Sequence, residues 1–239
     1  MLKKPEGSER RLRGSKTFKD TSGVPEQVDW YAAGKVSESI DQGGCGACWA
    51  FTTATTLESL NAIHNNLDTV PKYSVQYLID CDDIDWACDG GWMADAYDWT
   101  AENGIVNWDD YSRGYQGRKN RCNNPDKKKE RFYNVGSNEE DFITNDRMKE
   151  IIAQQPAGVA IYSNFGCLSH YKSGVISEKD CRCSDASHEE VNHAVTVIGY
   201  GTDTESSGCQ DYWLIKNSWG SRWGTDGHFK LCAERDGAT

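Results

Sequence analysis

Two cysteines three residues apart are the first candidates for chemistry in this sequence. They are Cys45 and Cys48, in the segment QGGCGACWAF at residues 42–51. A Cys-x-x-Cys pair can act as a redox dithiol, supply half of a zinc site, or combine one disulfide cysteine with one reactive thiol. The choice between these alternatives depends on the residues around the pair and on the residues that could act with it.

The redox and zinc interpretations both lack the context they need. A thioredoxin-like dithiol follows a buried strand of a βαβ unit, whereas the segment before Cys45, GKVSESIDQGG, is polar and rich in glycine. Zinc needs further ligands, and the segment HEEVNH places His188 and His193 five residues apart. A zinc-binding H-E-x-x-H motif has a spacing of four, which puts both imidazoles on one helix face. We therefore predict no metal and no cofactor.

Nucleophilic catalysis fits the pair better. Residues 48–64 carry apolar side chains at helical spacing, which predicts a helix with Cys48 in its first turn. The positive end of the helix dipole and a nearby imidazolium both favour a thiolate, which can attack a carbonyl carbon. Such an imidazole needs a third group to fix its orientation.

Composition limits the classes of partner. The chain has 239 residues, a formal net charge of −11 and an apolar fraction of 37%, which argues against nucleic acid as a main partner. No window is apolar for the roughly 18–20 residues of a membrane span. Ten cysteines favour disulfides and a secretory route. The N-terminus has no apolar signal core, so we expect the gene product to begin further upstream.

The elements predicted along the chain are mainly helical first and mainly β afterwards. Helices are expected at 48–64, 73–81, 91–104 and near 139–154, and a polar loop at 105–133. Strands are expected in the segments AGVAIY, NHAVTVIGYG, DYWLIKNSWG and GHFKLC. This predicts an α+β protein of two lobes with a cleft between them. The predicted division is an N-terminal extension or pro-segment remnant at 1–23, a helical lobe at 24–133 and a β lobe at 134–239.

Five segments, in this order, resemble the papain family of cysteine peptidases and its cathepsin L-like members. They are DQGGCGACWAF, YSVQYLIDC, CDGGWM, VNHAVTVIGYG and YWLIKNSWGSRWG. The resemblance runs from about Val24 to the C-terminus. It implies a papain-like two-lobe fold, with a helical left lobe, an antiparallel β-barrel-like right lobe and the active site in the cleft.

The resemblance also implies residue roles. Cys48 would be the nucleophile, His193 its imidazole partner and Asn217 the group that orients His193. Gln42 and the backbone N–H of Cys48 would donate hydrogen bonds to the oxyanion. Trp219 would shield the His193–Asn217 pair from water.

The implied activity is that of an endopeptidase with a bulky hydrophobic residue in its second acyl-side pocket (P2). The implied substrate-binding residues are Gly90, Gly91, Trp92, Met93, Ala160, Val191, Asn192 and Ala194. Two other functions stay open at this point. One is a catalytically silent homologue that acts as a binding or structural protein, and the other is a thiol–disulfide oxidoreductase that uses Cys45 and Cys48.

The family pattern further implies the disulfides Cys45–Cys88 and Cys81–Cys122. Cys167, Cys181, Cys183, Cys209 and Cys232 remain without an assigned pairing. Similar enzymes continue beyond the segment GHFKLC, so either Cys232 takes another partner or the chain is truncated at its C-terminus, and we favour truncation. We also expect maturation by cleavage near Ser22–Pro25.

The expected partners follow from the same resemblance. They are protein or peptide substrates, a pro-segment and cystatin-type inhibitors, with the enzyme acting as a monomer. Nucleic acid and membrane are not expected. The expected location is lysosomal, vacuolar or extracellular.

Overall fold

A computed structural model describes residue 2 and residues 23–111, 114–123, 129–141, 143–164, 166–177, 191–206 and 208–233. Among these residues, helices dominate before residue 104 and strands dominate after residue 157. The predicted cleavage region at Ser22, the rest of the N-terminal extension except Leu2, and Cys181 and Cys183 lie outside the described residues.

The central helix α1 spans Cys48–His64, the range predicted from the sequence. It is buried along most of its length, since 13 of its 17 residues are inaccessible to solvent. A helix that is surrounded on all sides carries apolar and small residues rather than one apolar stripe. The segment CWAFTTATT, with its alanines and threonines, has this composition.

Two further helices pack with α1 into the first hydrophobic core. Helix α2 spans Val75–Cys81. Its N-cap is Ser74, whose hydroxyl accepts a hydrogen bond from the Tyr77 backbone N–H. Helix α3 spans Met93–Asn103. Its C-cap is Gly104, whose φ of +69° suits a residue without a side chain. We call α1–α3 and the core around them the helical half.

The predicted loop at 105–133 is wrong in one respect. Its two ends pair as short antiparallel strands, β2 at Ile105–Val106 and β3 at Arg131–Phe132. Both residues of β2 are fully buried. A two-residue strand carries too little periodicity to be predicted from a polar context.

The second hydrophobic core surrounds a twisted sheet, which we call the β half together with the short helices beside it. Its strands are β1 (Val28–Asp29), β4 (Ala157–Ile161), β5 (Val175–Ile176), β6 (His193–Thr202), β7 (Asp211–Lys216) and β8 (His228–Cys232). Helix α4 spans Asn145–Ile152, shorter than the predicted 139–154, and α5 spans Gly166–Ser169.

The sheet order differs from the expected antiparallel barrel-like arrangement in two ways. The strands run β1-β6-β7-β8-β5, with β4 also paired to β6, and in the described residues this path stays open. The pair β5–β8 is parallel, whereas the other pairs are antiparallel.

The N-terminal strand β1 belongs to the β half, although the predicted division assigns its residues to the helical lobe. Val28 pairs with Tyr200 in β6, and the indole N–H of Trp30 donates to the backbone oxygen of Ile152 at 2.7 Å. Gly199 permits this approach, because a side chain there would lie within 2.1 Å of the Val28 backbone oxygen. In the part of the chain that the structure describes, no helix is long and apolar enough to span a membrane.

Candidate active site

The predicted nucleophile Cys48 is the first residue of α1 and is buried. It is the free thiol among the described cysteines. The loop before it is attached to a neighbouring loop by the disulfide Cys45–Cys88 and by a 2.9 Å hydrogen bond from the Gly46 N–H to the Cys88 carbonyl. The thiol therefore sits at the positive end of a long helix on a doubly tethered loop.

His193 and Asn217 meet at the edge of the sheet. His193 is the first residue of β6, and Asn217 follows the last residue of β7, the strand beside it. The distance between His193 Nε2 and Asn217 Oδ1 is 2.8 Å. Both side chains are buried.

A second hydrogen bond defines the roles of these atoms. The backbone N–H of Ser218 donates to Asn217 Oδ1 at 2.8 Å. A backbone N–H can only donate, so the Asn217 atom that faces it is the amide oxygen. His193 Nε2 must then carry the proton that it shares with this oxygen. The other ring nitrogen, Nδ1, is left to exchange a proton with a reacting group.

Burial lowers the pKa of His193, and the hydrogen bond to Asn217 opposes this effect. The indole of Trp219 stacks on the imidazole, with ring centroids 5.2 Å apart and planes inclined by 27°. Trp223 packs edge-on against Trp219 at 5.0 Å. The imidazole is thus shielded by an aromatic pair from the β half.

Gln42 joins the loop of the nucleophile to the loop of Asn217. Its backbone N–H donates to the Ser218 carbonyl at 2.9 Å. Its side-chain amide donates to the Cys45 carbonyl at 2.9 Å and accepts from the Ser218 hydroxyl. An amide NH₂ has two donors, so one N–H remains after the bond to Cys45.

Ser218 is a residue that the sequence analysis missed. Its hydroxyl bonds to Gln42 and its backbone N–H to Asn217, so hydrogen bonds run without interruption from Gln42 to His193. Serine is common in turns, and nothing in the segment KNSWG distinguishes it from an ordinary turn residue.

The thiol and the imidazole belong to one packed region. Cys48 and Ala194, the residue after His193, are members of the same buried cluster, although they come from different halves. Asp41 and Trp219 also form a β-bridge between the nucleophile loop and the Asn217 loop. The structure brings Cys48, His193, Asn217, Gln42 and Trp219 to the line where the two halves meet.

Five of the predicted substrate-binding residues lie in or against one buried apolar cluster. Trp92, Met93 and Ala194 are buried members of the first core, and Ala160 and Val191 pack against it. Gly91 comes just before Trp92 in the chain. The Asp85 carboxylate accepts a hydrogen bond from the Trp92 backbone N–H at 2.6 Å.

The same cluster contains Leu2, a residue of the predicted N-terminal extension. Leu2 is buried, with 6% of its surface exposed, and belongs to the same cluster as Trp92 and Met93. It forms a parallel β-bridge with Gly91, and its N–H donates to the Asn192 carbonyl at 3.0 Å. The sequence does not predict this contact, because the polar segment after Leu2 gives no indication of where residue 2 packs.

A buried polar network connects the halves beneath the site. The ammonium of Lys216, next to Asn217, donates to Ser37 at 2.9 Å and to Thr55 at 3.1 Å. Ser37 in turn donates to the Glu58 carboxylate. Burial lowers the pKa of Lys216 to about 8, opposed by the charge of Glu58, and burial raises the pKa of Glu58.

Disulfides also hold the elements that surround the site. The structure contains Cys45–Cys88 and Cys81–Cys122, the two pairs that the resemblance implies, and Cys209–Cys232, whose pairing the sequence left open. Cys167 is disulfide-bonded as well. Among the described residues, no group of three or more His, Cys, Asp or Glu side chains could hold a metal ion.

Comparison with known proteins identifies similar sequences over most of the chain. Residues 24–239 match the family model described as papain family cysteine protease. The chain is 34% identical over 217 residues to Zingipain-2 of Zingiber officinale, covering 89% of each protein. It is 32% identical over 243 residues to a cathepsin L-like protein of Caenorhabditis elegans, covering 95% of this chain and 67% of the relative.

Solved structures agree with these sequence matches. The bromelain protease of Ananas comosus, solved in complex with the E64 inhibitor, superimposes with a TM-score of 0.75 at 32% identity, over 90% of this chain and 92% of that one. The likeness confirms the predicted α+β papain-like fold. Several plant and viral relatives are longer, and the chain spans 44–60% of their length.

Proposed function

Because the chain belongs to the papain family of cysteine proteases, we propose that it is an endopeptidase that hydrolyses peptide bonds through Cys48, His193 and Asn217. The observation that carries this proposal is the 2.8 Å hydrogen bond between His193 Nε2 and Asn217 Oδ1, together with the free thiol of Cys48 at the N-terminus of α1. Cysteine protease, and hence hydrolase, is the class that family membership gives. The residue roles and the P2 preference are the proposed part.

In the proposed reaction the Cys48 thiolate attacks the carbonyl carbon of the scissile peptide bond. The bond from sulfur to carbon forms while the carbonyl π electrons move to oxygen. Collapse of this tetrahedral species expels the amine, which takes its proton from His193 Nδ1, and leaves a thioester on Cys48. Water then gives one proton to Nδ1 and attacks the thioester, which releases the carboxylic acid and restores the Cys48 thiolate beside a protonated His193.

Asn217 has a positioning role in this scheme. By accepting a hydrogen bond from the Nε2–H of His193, it fixes the tautomer that leaves Nδ1 for catalysis. Burial lowers the pKa of His193, so burial alone disfavours the imidazolium. In this scheme the negative charge of the thiolate would favour the imidazolium and so offset the effect of burial on His193.

Gln42 and the backbone N–H of Cys48 are the proposed oxyanion donors. One amide N–H of Gln42 is engaged by the Cys45 carbonyl, and the second is available for the oxyanion. The Ser218 hydroxyl fixes the Gln42 amide from its oxygen side. This preorganisation spares the enzyme from reorienting the donor as the negative charge develops.

The proposed P2 pocket is lined by Trp92, Met93, Ala160, Val191 and Ala194, with Gly90, Gly91 and Asn192 offering backbone groups to the peptide. Leu2 supports this assignment, because a leucine side chain is buried there and its backbone bonds to Gly91 and Asn192. A pocket that accepts leucine with little exposure suits bulky hydrophobic P2 residues.

Leu2 also supports a removable N-terminal segment. A chain that fills its own pocket excludes a peptide from it, so residues 1–23 would have to leave before substrate binds. Pro-segment and cystatin-type inhibitors remain proposed partners, with the enzyme acting as a monomer. Disulfides favour an oxidising compartment, so the proposed location is lysosomal, vacuolar or extracellular.

The two alternative functions are less well supported. The disulfide Cys45–Cys88 removes Cys45 from pairing with Cys48, which argues against a redox dithiol at these positions. A silent homologue would be expected to lack a catalytic group, whereas Cys48, His193 and Asn217 are all present.

Peptide cleavage tests the proposal. The protein, activated at acidic pH under mild reductant, is incubated with an oligopeptide that carries one internal leucine, and the products are identified by mass spectrometry. We expect internal cleavage one residue after the leucine, and none with Cys48→Ala or His193→Ala. Products cut only at a terminus would contradict endopeptidase action, and equal cleavage by Cys48→Ala would contradict the assigned nucleophile.

A further inference from the structure

The proposed oxyanion donor Gln42 is held from three directions. Its backbone N–H donates to the Ser218 carbonyl, and its side-chain amide bonds to the Ser218 hydroxyl and the Cys45 carbonyl. The third contact is at its backbone carbonyl, which accepts a hydrogen bond from the Tyr115 hydroxyl at 2.6 Å. Tyr115 lies 73 positions further along the chain, between β2 and β3, and takes no part in the reaction steps above.

The Tyr115 ring is fixed against the central helix. It packs edge-on against Phe51 in the first turn of α1, with ring centroids 4.9 Å apart and planes inclined by 73°. It is one of the side chains that pack against the first hydrophobic core. A packed aromatic ring has few rotamers to choose from, so its hydroxyl can hold an acceptor in a fixed place. The helix that carries Cys48 therefore also helps to position Tyr115.

The backbone beside Tyr115 is anchored to the helical half as well. The N–H of Gln116 donates to the side-chain oxygen of Gln76 in α2 at 2.7 Å. The disulfide Cys81–Cys122 ties the same segment to the end of α2. Tyr115 thus connects the backbone of the oxyanion donor to two helices of this half.

The Tyr115 hydroxyl acts as a donor at every acidic or neutral pH. Burial raises the pKa of Tyr115 to about 12, and the charge of Asp41 adds to this effect. A backbone carbonyl can only accept, so the hydroxyl supplies the proton in its bond to Gln42. The bond is therefore available over the whole pH range in which activity would be measured.

This contact acts on a different part of Gln42 from the others that hold its amide. Ser218 and Cys45 bond to the amide group itself, whereas Tyr115 fixes the peptide plane next to the Cα atom from which the side chain extends. An oxyanion donor has to lie about 2.7–3.1 Å from the oxygen on which charge develops. Without the Tyr115 hydroxyl this peptide plane can rotate, and the alignment of the remaining amide N–H becomes less exact.

We propose that Tyr115 is a positioning residue for Gln42, whose hydroxyl supports stabilisation of the tetrahedral transition state through the Gln42 backbone carbonyl. The inference rests on the proposed endopeptidase function and adds one residue to it. In the part of the chain that the structure describes, the hydrogen bond and the ring contact of Tyr115 go to Gln42 and Phe51. Neither reaches Cys48 or His193, so formation of the thiolate should not depend on Tyr115.

Tyr115→Phe removes the hydroxyl and keeps the ring. For a leucine-containing peptide we expect kcat to fall by about tenfold and KM to stay within about twofold, because the oxyanion exists only in the transition state and the tetrahedral species. This loss is smaller than the roughly 10²–10³-fold cost of removing an oxyanion donor altogether. Alkylation of Cys48 by iodoacetamide displaces iodide and forms no oxyanion, so its rate should equal that of the parent.

A double-mutant cycle separates positioning from a general effect on the fold. In Gln42→Ala the donor is already absent, so adding Tyr115→Phe should lower kcat no further. A second loss of the same size in that background would overturn the inference. The matched control is Tyr111→Phe, which removes another tyrosine hydroxyl of the helical half, one that donates to Asp80 at 3.1 Å. It should leave kcat and KM of the folded protein unchanged.

A binding measurement makes the test independent of turnover. The thiolate of Cys48 adds reversibly to the carbonyl carbon of a leucine-containing peptide aldehyde, and the π electrons move to oxygen, as in the proposed tetrahedral species. The corresponding peptide alcohol has no carbonyl to attack and binds through the peptide alone. By calorimetry we expect Tyr115→Phe to weaken binding of the aldehyde by about tenfold and to leave binding of the alcohol unchanged.

The outcomes distinguish this inference from the proposed function. If the parent binds the aldehyde but cleaves no internal peptide bond, the proposed function fails, and the comparison of aldehyde with alcohol still decides the role of Tyr115. If the parent does neither, both fail. If peptides are cleaved and Tyr115→Phe keeps the kcat and aldehyde affinity of the parent, or weakens the alcohol as much as the aldehyde, the inference about Tyr115 is wrong.

Discussion

The helical half and the β half position their active-site residues by different means. Cys48 stands at the end of a loop that is held by a disulfide and by single hydrogen bonds. His193 and Asn217 stand at the ends of adjacent strands, whose positions are fixed by an antiparallel ladder with one irregularity between Val197 and Gly199. The position of the thiol therefore depends on covalent and loop contacts, whereas that of the imidazole pair depends on sheet register.

The two halves also respond to pH in opposite directions. Burial raises the pKa of Asp82 in the helical half, so its contribution to stability is present at low pH and declines as the pH rises above the normal carboxyl pKa. Burial lowers the pKa of His228 in the β half to about 4, with the charge of Lys216 adding to the effect. As the pH falls through the acidic range, stability is therefore lost at His228 and gained at Asp82.

The largest effect is expected from breaking the imidazole pair. Asn217→Ala removes the acceptor of the His193 Nε2 proton, so the ring can rotate and expose the wrong nitrogen. We expect kcat/KM to fall by about a hundredfold, the usual cost of misplacing a catalytic group. The free energy of unfolding should fall by about 1–3 kcal/mol, because the buried Ser218 N–H loses its acceptor. Steady-state kinetics and thermal unfolding measure the two quantities.

Ser218→Ala is the matched control for this prediction. It keeps the backbone N–H that orients Asn217 and removes only the hydroxyl that holds Gln42. Its loss of kcat/KM should be well below that of Asn217→Ala. Equal losses in the two variants would mean that the hydrogen bond to His193 is not the decisive contact.

Removing one disulfide from each half tests the difference in positioning. The bridges Cys45–Cys88 and Cys209–Cys232 link residues 43 and 23 positions apart. Replacing either pair by serines should destabilise the fold by about 3–4 kcal/mol through the freer unfolded chain. Only the Cys45→Ser/Cys88→Ser protein should also lose activity under conditions where it is folded, because only that bridge tethers the nucleophile loop.

Chemical denaturation and kinetics in dilute denaturant would make this comparison. If the Cys209→Ser/Cys232→Ser protein lost as much activity as the other variant while still folded, the two halves would not differ in the way described.

His228→Phe should remove the acid sensitivity of the β half. The pKa of His228 falls from an ordinary value near 6.5 in the unfolded chain to about 4 in the folded protein. Its contribution to the stability of the fold is therefore complete above pH 6.5. About 3 kcal/mol of the free energy of unfolding is lost by the time the pH has fallen to 4. The parent should lose this stability between pH 6.5 and 4, and the variant should not. Denaturant titrations across this range measure the difference, and parallel curves would contradict the assignment.

The smallest expected effect concerns substrate choice. Ala160→Phe fills the proposed P2 pocket and should reduce the preference for leucine over alanine at P2 by about tenfold, the typical value of a few methylene groups in a pocket. Cleavage of the alanine substrate serves as the internal control. An unchanged ratio of kcat/KM values would remove Ala160 from the pocket.

Much of the molecule could be predicted because its signals are local. The composition and spacing of residues 48–64 predict α1, and the apolar segments VNHAVTVIGYG and DYWLIKNSWG predict β6 and β7. The motifs around Cys48, His193 and Asn217 name the candidate residues. Where these segments lie relative to one another follows from the family resemblance and not from periodicity.

The remaining features depend on contacts that no local pattern encodes. The short strands β2 and β3 form because distant segments meet, and two residues are too few to show alternation. Leu2 reaches the proposed pocket from a polar segment. Ser218 and Asp85 are of residue types that are common in ordinary turns. Their roles depend on tertiary neighbours, which sequence spacing does not reveal.

Covalent labelling tests the central claim most directly. A peptidyl epoxide of the class that alkylates papain-type thiols is added to the acid-processed protein, to Cys48→Ala and to Asn217→Ala, and intact mass is followed with time. We predict one adduct on the parent, none on Cys48→Ala and slow labelling of Asn217→Ala. A folded parent that takes no adduct, or a Cys48→Ala protein that still takes one, would contradict an activated thiolate at Cys48.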